Sequence, residues 1–312
     1  MTFSTLATKS PTPTWVRGPV EETLRLGLWN LFLAWRRTMS KVLLGVLLGA
    51  YALLVLGLLL LYVIAASNNS DVAPLRAPLT FPDSLMLTGG LVRYLAPLLA
   101  AILAGALIGG EYAFGTYRLS LARGNSRAQV LGGQVLALAF IALITSGLML
   151  VIGLLVGVTL GPLLGSDLVI PYPDGWLQIA IFWLALSLNI WGYTLVALFF
   201  ATLGRSAAAG IGGALGAFVV EFVLAVLVFP AIAAILGALH LTRTADFFAK
   251  VPYFFFGQSL GATVTYSQLH PIQLASSPPN EPLALALVVV LIYCAALIAG
   301  SYALFKQRDI AE

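Results

Sequence analysis

The stretch Glu111-Tyr112-Ala113-Phe114-Gly115-Thr116-Tyr117-Arg118-Leu119-Ser120-Leu121-Ala122-Arg123-Gly124-Asn125-Ser126-Arg127 sets three arginines and a carboxylate between two long apolar runs. It reads as a short, structured cytosolic loop in a multi-spanning membrane protein. A mere connector needs few residues and no particular side chains. This loop is long enough for two or three helical turns and presents a basic, partly apolar surface of the kind on which a soluble partner docks.

The flanking composition supports that setting. Of 312 residues, 60% are hydrophobic and 9% are charged, whereas soluble domains carry roughly a quarter charged residues. A helix needs about 20 apolar residues to cross the hydrocarbon. Six stretches qualify, at about 42–66, 85–110, 130–160, 176–203, 207–239 and 283–305. The predicted fold class is therefore an all-α integral membrane protein with six transmembrane helices. Period-2 alternation with regular turn signals, which a membrane barrel requires, is absent.

Placement of positive charge orients the chain, because Lys and Arg are retained on the cytoplasmic side. With the N-terminus inside, the inner segments hold Lys9, Arg17, Arg25, Arg36, Arg37, Lys41, Arg118, Arg123, Arg127, Arg205, Lys306 and Arg308. The outer side and outer membrane halves hold Arg76, Arg93, Arg243 and Lys250. The expectation is a multi-pass protein of a prokaryotic plasma (inner) membrane with both termini cytoplasmic. About forty residues precede the first apolar run, so Ala65-Ala66-Ser67 is not expected to be a signal cleavage site.

Residues 1–20 are rich in Thr, Ser and Pro and are expected to form a mobile cytosolic tail. Across 21–40, Leu24, Leu28, Leu31, Phe32, Trp35 and Met39 share one helical face, with Thr23, Asn30 and Arg37 opposite. Glu21 and Glu22 suit the start of a helix and Arg36 and Arg37 its end. The segment is predicted to be an amphipathic helix in the headgroup plane, with Trp29 and Trp35 as interfacial residues. The long outer segment before the last span, about 240–282, contains Phe247-Phe248 and Val251-Pro252-Tyr253-Phe254-Phe255-Phe256. These are too apolar to hang in water and predict one or two short helices on, or dipping into, the outer membrane face. Irregular backbone at that depth has to be shielded by protein.

Two intramembrane ionisable residues stand out. Glu221 lies near the middle of the fifth stretch, where a charge is costly and is usually functional or paired. Gly213 and Ala217 share its face, with Gly210, Gly212 and Gly216 extending a small-residue surface that admits a close neighbour. Glu221 and Arg93 lie at similar depths, roughly 20–25 Å from the cytosolic ends of their spans. They are predicted to form an ion pair or to share a polar pocket, either as a structural clamp or in contact with cargo.

Gly257-Gln258-Ser259-Leu260-Gly261 matches G-x-S-x-G, but it lacks the strand-to-helix setting that makes that string a nucleophile elbow. His240 and His270 sit in the same outer segment, not on a facing span, and two histidines without nearby cysteines make a poor metal site. No catalytic or metal-binding residue is assigned. There is no G-x4-G-K-[ST], so ATP phosphates would be bound by another polypeptide. Cys294, the single cysteine, lies inside the sixth stretch and cannot form an intramolecular disulfide.

The order E-x3-G-T at Glu111, Gly115 and Thr116, a short helix ending in G-x-S-R at Gly124, Ser126 and Arg127, and a span opening Leu131-Gly132-Gly133 resembles the membrane subunits of ABC-2-type (type V exporter) ABC transporters. The resemblance covers nearly the whole chain: an interfacial elbow helix, six spans, a long outer segment and a basic Phe305-Lys306-Gln307-Arg308-Asp309-Ile310 ending. Gln134 departs from it, standing where many members carry Lys. The resemblance implies that residues 112–127 form the helix that couples to a separate ATPase subunit, through Glu111, Gly115, Thr116, Tyr117, Arg118, Arg123, Ser126 and Arg127. A smaller contact at 202–207 would include Arg205. It implies a second permease subunit, in a homo- or heterodimer, with Arg93 and Glu221 beside the translocation path. ATP and Mg would be bound by the partner ATPase, and membrane lipids, not nucleic acid, would surround the chain. The expected function is the permease subunit of an ATP-binding cassette exporter of amphipathic or apolar cargo such as a drug, peptide or lipid. The alternatives are a non-transporting scaffold acting on an outer-face partner and an ATPase-independent secondary transporter.

Overall fold

The computed structural model describes residues 18–165, 175–268 and 281–307. The tail at 1–17, the loop with Asp167 and Asp174, His270 and the ending from Arg308 onward lie outside the described residues. Those described are helical apart from short turns, with no strand among them.

Among the described residues, six helices or helical runs are long and apolar enough to cross a membrane. They are α2 (Thr38–Ser67), α4 (Asp83–Ala113), α6 (Arg127–Leu163), α7 (Gly175–Gly204), the fifth span built from α8 (Ala207–Phe222) and α9 (Phe229–Ala238), and α12 (Leu283–Gln307). Each extends past its apolar stretch by one to four residues at one or both ends, save the fifth, which stops one residue short. Backbone hydrogen bonds continue to be made inside the helix where side chains become polar, so the helices do not stop at the hydrocarbon boundary. The chain is an all-α, multi-pass membrane protein.

Helices α4 and α7 form the centre. One buried layer joins Leu85, Met86 and Val92 of α4 to Phe182, Leu186 and Ile190 of α7, with Leu47 and Tyr51 of α2 closing it. A second layer, nearer the arginine-rich end, joins Ala101, Ala104 and Ile108 to Ala197, Ala201, Ala214 and Val290. In lipid the hydrophobic effect does not favour one apolar contact over another, so close approach decides which helices pair. Gly105 faces the backbone of Gly210 and Ile211, and Gly109 faces Ser206 and Ala207. A Cβ at Gly109 would stand 2.1 Å from the Ala207 backbone nitrogen.

The fifth span packs differently. Only 6% of its most apolar window is buried, against 67% for α7. Ala208, Gly212, Gly216 and Val220 form an exposed i, i+4 stripe, and nothing lies within 4 Å of a Cβ built on Gly212 or Gly216. Between α8 and α9 the backbone widens into a π-helical turn, Val223–Val228. Pro230 lacks an N–H and its ring crowds the carbonyl four residues back, at Val226, which favours such a widened turn.

Before the first span, α1 (Pro19–Arg36) ends four residues earlier than the predicted segment; Arg37 turns the chain into α2. Its apolar residues Leu24, Leu28, Phe32 and Trp35 are exposed, as an interfacial helix requires. The opposite face meets protein instead of water: Gly27 lies against Gly133 and Leu136, and Thr23 against Gly132 of α6. At the end of the bundle away from the arginines, α3 (Ala73–Arg76) and a 3-10 turn (Ala77–Leu79) fold over the core, and Arg76 donates to the Gly165 carbonyl at 2.9 Å.

These contacts make glycine positions unequal. Gly109→Ala is expected to lower stability by about 1–3 kcal/mol through overpacking, whereas Gly212→Ala, which meets no atom of its own chain within 4 Å, should not lower it. Thermal midpoints of the purified variants in one detergent check both.

Candidate functional site

At the basic end, Gly115 adopts φ 65°, a left-handed conformation that lets the chain reverse directly from α4 into α5 (Thr116–Ala122). Three interactions hold this reversal. The Thr116 hydroxyl donates to the Glu111 carboxylate. Arg37, at the α1–α2 junction, lies 3.6 Å from the same carboxylate. Tyr117 is 3% exposed and packs edge-on against Tyr112 and Phe305, with ring centroids 4.6 and 5.1 Å away. Burial pushes the Tyr117 hydroxyl well above its usual pKa, so it remains a neutral hydrogen-bonding group.

Gln134 donates its side-chain amide to the Tyr117 hydroxyl. The residue that departs from the family pattern is thus one that seats α5 on α6. Beyond α5, Gly124 adopts φ 90° and Ser126 caps α6 in a reciprocal capping box with Gln129. Arg127 donates to the Phe305 and Lys306 carbonyls at 2.8 and 2.7 Å, a cation at the carbonyl end of α12. Through Glu111, Tyr117 and Arg127, the segment 111–127 is fastened to α4, α6 and α12. Arg118, Leu119, Ala122 and Arg123 form its exposed face.

The second basic turn, between α7 and α8, exposes Leu203, Gly204 and Arg205, and Arg205 has φ 50°. Thr202 is 2% exposed and donates to the Leu198 carbonyl, so it belongs to the core and not to a surface contact over 202–207.

Of the two arrangements expected for Arg93 and Glu221, the ion pair requires correction, whereas a shared polar region is compatible with both side chains reaching one face of the same helix. The second and fifth spans do pack together, but among the described residues no ion pair joins these two side chains. Each binds α11 (Phe256–Tyr266), the last helix of the segment before α12. That segment runs through α10 (Thr242–Lys250) and a 3-10 turn (Val251–Phe254) and then sends α11 back among the spans, where Phe256, Ser259, Leu260 and Val264 are buried. Glu221 Oε1 accepts from the backbone N–H of Gly257, and from that of Gln258 at 3.3 Å. Arg93 lies on Gly261 and donates to the Thr265 hydroxyl at 2.6 Å. A carboxylate thus meets the first turn of α11 and a guanidinium its last turn, the polarity that a helix dipole favours.

Sequence inspection missed Tyr193, whose hydroxyl lies where a Cβ on Gly257 would be. The signal was present in the string read as G-x-S-x-G. Gly257 and Gly261, four residues apart on one helical face, admit Tyr193 and Arg93 respectively. Ser259 is fully buried and donates to the Tyr253 carbonyl and the Glu281 carboxylate, at 2.9 and 3.1 Å, within a helix. That is not the geometry of a nucleophile elbow.

Six membrane-spanning runs, a preceding helix with an exposed apolar face, a short basic helix fastened to three of the spans and a helix packed back among them make up a polytopic membrane protein. The chain matches the family of ABC-2 family transporter proteins over residues 40–310 and belongs to that family; it is an ABC-type permease subunit. Such subunits normally work with an ATP-binding subunit. No curated protein matches the chain.

Because both charges serve α11, exchanging them should not restore it. In the double variant Arg93→Glu, Glu221→Arg, a cation would face the N–H groups of Gly257 and Gln258. Hydrogen exchange at 256–260 is expected to rise in Glu221→Ala, consistent with losing about 1–3 kcal/mol of charge-assisted hydrogen bonding, and to stay raised in the double swap. Recovery to wild-type protection in the swap would instead indicate a direct pair.

Proposed function

We propose that the chain is the membrane subunit of an ATP-driven exporter, with the arginine-rich end cytosolic and α5 the element on which a separate ATPase acts. The observation carrying this reading is the two-sided character of 111–127. Its inner side is fixed to three spans, so displacement of α5 cannot be absorbed locally. Its outer side offers Arg118, Leu119 and Ala122 to a partner. Arginine beside apolar side chains is a favourable composition for a docking anchor, and retention of positive charge inside supports the orientation. Arg205, on the same end, supplies a smaller second contact.

A second permease copy covers the exposed stripe of Ala208, Gly212 and Gly216, since small residues let membrane helices approach closely. The path for cargo then runs along the second and fifth spans at that junction. Helix α11, held by Glu221 and Arg93, closes it from the outer side. The π-helical turn that begins two residues beyond Glu221 gives the fifth span a place to change its helical phase as α5 is pushed. Walls of Leu, Ala, Phe and Gly suit amphipathic or apolar cargo better than small ions.

Charge reversal at the exposed face tests the coupling. Arg118→Glu with Leu119→Glu is expected to weaken capture of the co-expressed ATPase by about tenfold or more, the loss of a charge-assisted contact and an apolar anchor. The thermal midpoint of the isolated subunit, measured on the same variant, tells loss of folding apart from loss of docking. Undiminished capture and undiminished ATP-dependent transport in vesicles would remove α5 from the coupling path. For the dimer, Gly212→Leu with Gly216→Leu should shift the subunit toward monomer in native mass spectrometry without altering its helicity.

A further inference from the structure

A cleft of about 720 Å³ opens at the basic end between α1, α5 and the start of α6. Its size falls within the range of small-molecule sites. The walls are amphipathic: Leu26, Trp29 and Leu33 contribute apolar surface, while Arg25 and Arg123 contribute charge. Arg25 is held by Glu22 at 2.6 Å, and the other acidic wall residue, Glu111, is engaged by Thr116 and Arg37. Arg123 is left as a cation with no carboxylate partner among the described residues.

Deeper in, the cleft meets a narrow apolar slot of about 30 Å³ against Leu107, Ala137 and Leu138, and Gln134 lines both spaces. Gln134 is 7% exposed, and one end of its amide bonds Tyr117 while the other, Oε1, has no partner. An unsatisfied buried amide oxygen costs about 1–3 kcal/mol unless a donor reaches it. The slot is too small for an acyl chain. It has room for a group no larger than a hydroxyl or a water beside that oxygen.

From these features we infer that the cleft is a binding site for the headgroup of an anionic glycerophospholipid. The phosphodiester sits on Arg123, where a charge-assisted hydrogen bond is available. A headgroup hydroxyl donates toward Gln134, directly or through a water in the slot. The acyl chains leave past Leu28 and Phe32, which are 55% and 46% exposed on the side of α1 that faces lipid. Basic segments beside the cytosolic leaflet attract anionic lipids for the same electrostatic reason. A protein knob from the ATPase would satisfy Arg123 but has no need of the apolar exit along α1. A phospholipid uses both. The bound headgroup would then link α1 to α5, joining the interfacial helix to the proposed lever.

The test uses the full chain without any ATPase, in phosphatidylcholine nanodiscs containing a minority of phosphatidylglycerol with a photoactivatable headgroup. Label is expected in peptides from α1 and from residues 117–134. It should fall about tenfold in Arg123→Glu, the loss of a hydrogen bond to a charged group, and stay near wild type in Arg123→Lys. Arg123 is exposed, so both variants should keep the wild-type thermal midpoint. Three results would overturn the inference: label spread evenly over the lipid-facing helices, label unchanged in Arg123→Glu combined with Arg25→Glu, or crosslinks showing that residues 1–17 fill the cleft. Because no ATPase is present, loss of labelling is separable from failure of the docking proposed for Arg118 and Leu119.

Discussion

Backbone N–H groups have no water to turn to inside hydrocarbon, and α11 begins where water is scarce. The first turn of any helix leaves donors without an intrahelical acceptor, so a helix that starts among membrane spans needs an acceptor brought to it. Glu221 supplies one oxygen for two of these donors, at Gly257 and Gln258. The charge is tolerated in the fifth span because it is spent on a helix terminus. The rest of that region follows from the same need: glycine at 257 and 261 to let Tyr193 and Arg93 approach, and a buried Ser259 bonded to Tyr253 and Glu281.

At the other end of the bundle the same economy of polar groups produces rigidity. Glu111, Arg37 and Thr116 satisfy one another, Gln134 meets Tyr117, and Arg127 covers the last carbonyls of α12. Each interaction crosses from one helix to another, so the short α5 moves with α4, α6 and α12 or not at all. Between the two ends, contacts of Gly105 and Gly109 with the start of α8 keep the second and fifth spans in register. A push on α5 and the position of α11 are therefore linked through two helices that touch backbone to backbone.

Much of the candidate site was legible in the sequence. Arginines and a carboxylate bracketing Gly115 and Gly124 marked the reversal and the short helix, whereas the capping box of Ser126 with Gln129 at the start of α6 was not singled out. The adjacency of the spans that carry Arg93 and Glu221 was read correctly. Their partners were not. A carboxylate and a guanidinium at one level look like a pair in sequence, whereas the true partners are backbone groups and a threonine on α11. Backbone donors have no one-letter code, so no string announces them. The face of α1 opposite its apolar stripe was equally opaque, since Thr23 and Gly27 look neutral until Gly132 and Gly133 are placed against them.

Transfer into lipid is close to additive along a helix, so composition alone was enough to decide that this chain crosses the membrane, how often, and which loops carry the positive charge. Membership of a permease family followed from the order of short motifs along that frame. Which helices touch, where Glu221 finds its hydrogen bonds, and that the segment before the last span folds back into the bundle were decided only by tertiary structure. Those outcomes depend on shape complementarity between segments dozens of residues apart, where the loss of one Cβ or the turn of one helix determines which polar groups meet.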